Sequence, residues 1–204
     1  MLTFSIVALD PKTKALGVAV STAVPAVGTA VPHVEADIGA IATQAETNVL
    51  YGIDGLKLLK QGFSPKAALE KMLLQDEHRE RRQVIIIDAE GRTAAFTGQE
   101  TIEWKGHLTR KDHVVAGNML TGSRVLEAIT EVFQLETGSL AERLLKALES
   151  GQQAGGDKRG HVSAALKVAD KRWKSESRPL LDLRVDAHHD PVKELRRVYN
   201  VSCR

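Results

Sequence analysis

The chain has 204 residues, 43% of them hydrophobic and 26% charged, with a formal net charge of +2. That balance describes a soluble globular chain able to bury a sizeable core, and it excludes an intrinsically disordered segment. So small a charge excess leaves no electrostatic footprint for nucleic acid, and the single cysteine, Cys203, excludes a disulfide framework or a thiolate-bound metal within one chain.

The elements follow in order. Along the first stretch Phe4, Ile6 and Ala8 point to one face and Val7 and Leu9 to the other, the pattern of a strand buried on both sides. Asp10-Pro11-Lys12-Thr13 is turn chemistry, so a second strand over residues 16–21 pairs back as a hairpin and delivers Ser21 and Thr22 near the start of the first. Residues 15–34 carry no Asp, Glu, Lys or Arg, but Gly17, Pro25, Gly28 and Pro32 punctuate them. They read as two buried strands joined by a bend, not as a membrane span. Further strands are predicted over 29–34 and 37–44.

The period then changes. A helix over 51–61 ends at Gly62, and Ser64-Pro65 opens a second one with Ala68, Leu69, Met72 and Leu73 inward. Residues 83–88 and 93–97 form a hairpin, and 113–117 another strand. Val125, Leu126, Ile129, Val132 and Phe133 mark an amphipathic helix. Ser139-Leu140-Ala141-Glu142 is a capping box for the next, which Gly151 is expected to close. Strands over 163–168 and 180–185 precede a last helix capped by Asp190-Pro191. The order is four strands, two helices, three strands, two helices, two strands and a helix. It predicts a single α+β domain over 1–204, with two stacked sheets and helices on both outer sides.

Several polar groups stand at strand ends. Thr3 is either a β-branched strand residue or, if Met1 and Leu2 are removed, an N-terminal nucleophile whose free α-amine serves its own hydroxyl as base. In the intact chain the Thr3 nitrogen is an amide and cannot take that proton, so the intact chain is expected to be inactive in this role. Gln44-Ala45-Glu46-Thr47-Asn48 follows a buried strand. Glu46 and Asn48 there either hold a polar substrate or, for Asn48, cap the next helix. Asn118 is a turn asparagine or an oxyanion donor. The glycine-rich loop 151–161 lacks a phosphate-loop ending, and its Asp157 and Arg159 suit a zwitterionic or carboxylate ligand. His188 and His189 read as a surface or subunit-contact feature and not as a metal site.

The blocks Thr3-Phe4-Ser5-Ile6-Val7-Ala8, Gly39-Ala40-Ile41-Ala42-Thr43-Gln44-Ala45, Ala116-Gly117-Asn118-Met119-Leu120, Ala154-Gly155-Gly156-Asp157 and Asp182-Leu183-Arg184-Val185-Asp186 resemble the domain-of-unknown-function 1028 family. The resemblance implies the Ntn-hydrolase superfamily and its four-layer αββα sandwich of two stacked antiparallel sheets. It places the nucleophile at Thr3 and main-chain oxyanion donors around Thr43 and Gln44. A proteasome-like lysine is missing from the third strand. The expectation is an amidohydrolase acting on a small polar, amino-acid-like amide, with Thr3, Thr43, Gln44 and Asn118 catalytic and Ser21, Glu46, Asn48, Asp157 and Arg159 binding substrate. A catalytically inactive ligand-binding or assembly protein of the same fold is the alternative. No cofactor or metal, no nucleic acid and no membrane partner is expected. The start carries no basic, apolar leader, and the lone cysteine fits a reducing compartment, so a cytoplasmic homodimer is predicted. The basic excess from residue 157 onward, 12 Lys+Arg against 7 Asp+Glu, has only Trp173 and Tyr199 as aromatic companions and reads as a solvated face.

Overall fold

Alternation along the first strand sets the architecture. In the computed structural model, which describes residues 3–171 and 181–203, β1 (Thr3–Leu9) is buried along its whole length. Met1, Leu2, Trp173 and Leu180 lie outside the described residues. β1 pairs antiparallel with β2 (Leu16–Thr22) on one side and with β8 (His113–Gly117) on the other. β7 (Gly106–Arg110) extends the sheet beyond β8, and β9 (Ser163–Ala169) and β10 (Leu181–Val185) extend it beyond β2, giving the order β10-β9-β2-β1-β8-β7. A second antiparallel sheet runs β3 (Pro32–Glu35), β4 (Gly39–Ala45), β5 (Arg82–Asp88) and β6 (Thr93–Thr97). Five helices complete the described chain: α1 (Leu50–Lys60), α2 (Pro65–Leu74), α3 (Arg124–Leu135), α4 (Leu140–Gln153) and α5 (Pro191–Ser202). The fold is mixed α+β.

Three apolar clusters tie these elements together. Phe4, Ile6 and Ala8 pack with residues of α3, α4 and α5. Val7 and Leu9, on the opposite face of β1, pack with Val18 and Val20 of β2 and with Ala40, Ala42, Ile85 and Ile87 of the other sheet. Ile41, Val84 and Ile86, on the remaining face of that sheet, pack with α1 and α2. Each fully buried aliphatic side chain contributes about 1.5–3 kcal/mol, so three such clusters carry most of the stabilisation.

Local chemistry explains the element ends. Asp10 accepts hydrogen bonds from the Lys12 amide and the Thr13 hydroxyl, both at 2.9 Å, and closes the β1–β2 hairpin. Ser64 accepts from the Ala67 amide at the start of α2, Ser139 from Glu142 at α4, and Asp190 from Lys193 at α5.

Two expectations need correction. β7 escapes the sequence reading because its five residues, Gly106-His107-Leu108-Thr109-Arg110, are half-exposed at a sheet edge and carry no apolar alternation. Gly151 does not close α4, which runs on to Gln153. A Cβ on Gly151 would lie 2.6 Å from Ile129 and 3.1 Å from Phe4, so the glycine lets α4 approach α3 and β1 closely. Among the described residues no helix is long and apolar enough to cross a membrane.

Candidate active site

On the faces that meet between the two sheets, β1, β2, β4, β5 and β8 turn from apolar to polar at the same end. β1 runs Leu9, Val7, then Ser5 and Thr3, and β2 runs Val18, Val20, then Thr22. β4 runs Ala40, Ala42, then Gln44, and β5 runs Ile87, Ile85, then Gln83. Past β8, Val114 and Ala116 give way to Asn118. The six polar residues are fully buried. Polar groups so placed must find hydrogen bonds or cost about 1–3 kcal/mol each.

Most of them do, through Gln83. The two hydrogens of its Nε2 are shared among three acceptors in reach, the carbonyls of Gly106 (3.0 Å) and Gly117 (2.9 Å) and Thr97 Oγ1 (2.9 Å). Carbonyl oxygens only accept, which fixes the orientation of this carboxamide and leaves Oε1 as its acceptor. Gln83 Oε1 receives Gln44 Nε2 at 2.7 Å and Asn118 Nδ2 at 2.8 Å, and Gln44 Oε1 then receives the Ser5 hydroxyl at 2.6 Å. Thr97 in turn lies 2.8 Å from His107 Nδ1, and burial lowers the pKa of that imidazole. Two atoms are left over. Thr3 Oγ1 and Asn118 Oδ1 are buried and have no partner among the described residues. Their residues are neighbours, since the Asn118 amide donates to the Thr3 carbonyl at 3.0 Å.

The other expected site residues are placed differently. Ser21 does not share the face of Thr3: it pairs with Phe4, while Thr22 pairs with Thr3, so Ser21 points to the helix side of the sheet. Its hydroxyl is also buried without a partner. Thr43 turns its side chain toward α1, where Oγ1 donates to the Asn48 carbonyl at 3.0 Å. Its amide donates to the Val31 carbonyl at 3.2 Å and is therefore not free to serve as the expected oxyanion donor. Gln44 reaches the polar cluster through its side chain, and its backbone faces Gln83 across the ladder. Glu46 is exposed beside Arg81 and Arg82, at 3.7 and 3.6 Å, and Asn48 Oδ1 accepts from the Leu50 amide at the entrance to α1. Among the described residues neither makes a hydrogen bond or ion pair with the polar cluster around Gln83: Glu46 stays with the two arginines and Asn48 with the start of α1. The cause is that β4 ends at Ala45, whose φ of 69° turns the chain out of the strand before Glu46.

Asp157 does reach the rim. It forms a β-bridge with Leu120, two residues past Asn118, and its Oδ2 accepts from the amide of Ala23, the residue after Thr22, at 3.4 Å. Arg159 grips it in a two-pronged ion pair, Nη2 to Oδ2 at 2.7 Å and Nε to Oδ1 at 3.1 Å, so the pair acts as a unit. The His188–His189 segment is tied down locally: His188 Nδ1 accepts from the Asp190 amide, and Asp186 pairs with Arg184.

Comparison with known families gives a match over nearly the whole chain. A family described as "Family of unknown function (DUF1028)" covers residues 3–195. The chain belongs to that family. A crystal structure of a DUF1028 protein from Silicibacter pomeroyi matches it with a TM-score of 0.92 and 35% identity, over 100% of this chain and 87% of the other. A remote likeness is to Anbu, the ancestral β-subunit, from Yersinia bercovieri: TM-score 0.41 and 9% identity, over 98% of this chain and 94% of that one. Comparison with curated proteins gives no match.

Sequence reasoning about this DUF1028 chain missed Ser5, Thr22, Gln83 and Thr97 as parts of the polar cluster. The signal for Ser5 was its i, i+2 spacing from Thr3, and the same rule applied to the hairpin selects Thr22 over Ser21. Gln83 and Thr97 carried no local signal, because their contacts are made across the sheets and along β5–β6.

Proposed function

We propose that this DUF1028 chain is an N-terminal-nucleophile amide hydrolase acting on a small polar, amino-acid-like amide, on a four-layer αββα arrangement, with Thr3 as nucleophile after release of Met1 and Leu2. The observation that carries the reading is the buried, unpartnered Thr3 hydroxyl at the polar end of the inter-sheet face, beside the unpartnered Asn118 Oδ1. A hydroxyl kept without a hydrogen bond there costs stability and is best accounted for by chemistry it performs.

In the released form the Thr3 α-amine takes the hydroxyl proton as Oγ1 attacks the substrate carbonyl. The resulting ammonium then gives that proton to the departing amine, and water hydrolyses the acyl-Thr3 ester. Asn118 Oδ1 accepts from the amine or hydroxyl of Thr3 and orients it. The second hydrogen of Asn118 Nδ2, not needed by Gln83, faces the developing oxyanion. Asp157 and Arg159 hold the charged end of the substrate at the rim.

The test compares three forms: the full chain, a form beginning at Thr3, and the Thr3→Ala variant of that form. Each is assayed on a panel of small amides and by mass spectrometry after treatment with a β-lactone electrophile. The form beginning at Thr3 is expected to be labelled on Thr3 and to hydrolyse amides about 10²–10⁴-fold faster than the other two. Equal rates in all three would end the nucleophile reading.

A second reading, a non-catalytic ligand-binding or assembly protein, is favoured by the engagement of the Thr43 amide with Val31 and by the complete burial of Thr3. No labelling and no turnover in the form beginning at Thr3 would select it.

A further inference from the structure

About 20 Å from Thr3, at the other end of β1, lies a pocket of ≈430 Å³ that the reading above leaves unused. His113 lines it and is 1% exposed. Its Nδ1 faces the Lys111 carbonyl at 3.1 Å, so Nδ1 carries the proton and Nε2 is an acceptor. Burial, with Arg143 adding to it, lowers the His113 pKa and keeps the ring neutral. Nε2 is buried and has no hydrogen-bond partner among the described residues.

The same wall holds a matching donor. Arg143 spans the Phe133 ring at 4.2 Å and donates through Nη2 to the Phe133 carbonyl at 3.1 Å. Its Nε–H is buried and unpartnered. Phe133 also packs against the His113 ring, at 4.8 Å between centroids, so one aromatic ring holds both orphaned groups in place. The charge around them favours an anion. Of the carboxylates in the wall, Asp10 is committed to the hairpin turn and Glu136 pairs with Lys146 at 2.7 Å. Asp10 keeps its charge, so Asp10 and Asp112 stand against Lys12, Lys111 and Arg143, an excess of one positive charge.

We propose that this pocket binds a small oxyanion that also carries a hydroxyl group, the anion on Arg143 Nε–H and the hydroxyl donating to His113 Nε2. A plain carboxylate satisfies only the arginine, and a neutral alcohol only the histidine. A 2-hydroxycarboxylate or a singly protonated phosphate satisfies both. The assignment is independent of Thr3.

The full chain with ¹⁵N-labelled histidine is titrated with glycolate, acetate and inorganic phosphate while the imidazole nitrogen resonances are followed. Glycolate or phosphate is expected to shift His113 Nε2 saturably, and which of the two does so separates a hydroxy acid from a phosphate ligand. Acetate should require roughly tenfold more. Arg143→Lys, which keeps the charge and loses the planar donor, should weaken the effect roughly tenfold. The proposal is overturned by no saturable shift up to about 10 mM of any probe, by acetate binding as well as both others, or by unchanged binding in Arg143→Lys. The direct readout on the unsubstituted chain decides the matter even if the variant fails to fold.

Discussion

Gln83 meets five polar groups with one carboxamide: Gln44, Asn118, Thr97 and the carbonyls of Gly106 and Gly117. It belongs to one sheet and three of those partners to the other sheet or its continuation, so this side chain ties the two sheets together at their polar end. Replacing it with leucine strands the Gln44 and Asn118 donors in a buried setting and removes the donor that two carbonyls share. Gln83→Leu is therefore expected to cost at least about 2 kcal/mol in urea unfolding, and Thr97→Val, which removes one peripheral partner, about 1 kcal/mol. A Gln83→Leu loss no larger than that of Thr97→Val would show that the network contributes little. In the form beginning at Thr3, the same Gln83→Leu change should also reduce labelling of Thr3, because Asn118 loses the bond that orients it.

Among the elements, α4 shows how packing overrides a local signal. Glycine in a helix interior disfavours it by about 1 kcal/mol relative to alanine, so propensity alone makes Gly151→Ala stabilising. The contacts reverse the sign, since the added Cβ would press on Ile129 at 2.6 Å and on Phe4, the neighbour of Thr3. Overpacking of this kind costs about 1–3 kcal/mol, and a net destabilisation of about 1 kcal/mol is expected in chemical unfolding. Gly122→Ala, where nothing lies within 4 Å, is the control and should be near neutral. A stabilised Gly151→Ala would mean that Ile129 and Phe4 yield without strain. Much at this scale was legible beforehand. Caps at Ser64, Ser139 and Asp190 and the Asp10 turn act within a few residues of themselves, so sequence neighbours suffice to read them.

For the whole molecule, three histidines set the dependence on pH: His113 is buried, His33 half-buried, and His107 stands on the exposed edge strand with its ring partly desolvated. His33, His107 and His113 each have a pKa lowered from the ordinary 6.5, with burial the largest cause in every case. The folded chain therefore binds fewer protons than the unfolded chain once the pH drops toward 6.5, and stability falls as the pH falls. The loss begins near the unfolded value and ends below the folded ones. A second loss follows at lower pH, where Asp76 must be protonated: its hydrogen bonds from Arg82 hold it below the ordinary carboxylate value. Urea unfolding between pH 7.5 and 5 should show a steady decline in stability. A flat profile would show that these imidazoles titrate in the folded chain as they do in the unfolded one.

By itself the sequence determined which stretches are strands and helices, where most of them end, and that Thr3 and Asn118 stand at strand mouths. Those properties depend on period, turn residues and caps, all of which act over short distances along the chain. The tertiary structure decided which of the neighbouring polar residues share a face. Ser21 and Thr22 are adjacent in sequence, and only the pairing of Thr22 with Thr3 sends Ser21 to the helix side. Thr43 and Gln44 part in the same way, one toward α1 and the other into the Gln83 network. β7, at the edge and half-exposed, becomes a strand because β8 supplies its hydrogen-bond partners. Gln83 becomes the centre of the polar cluster because the sheets stack its side chain against carbonyls more than twenty residues away. A side chain with period two has a face only once the register of its partner is set, and that register is a property of the folded sheet.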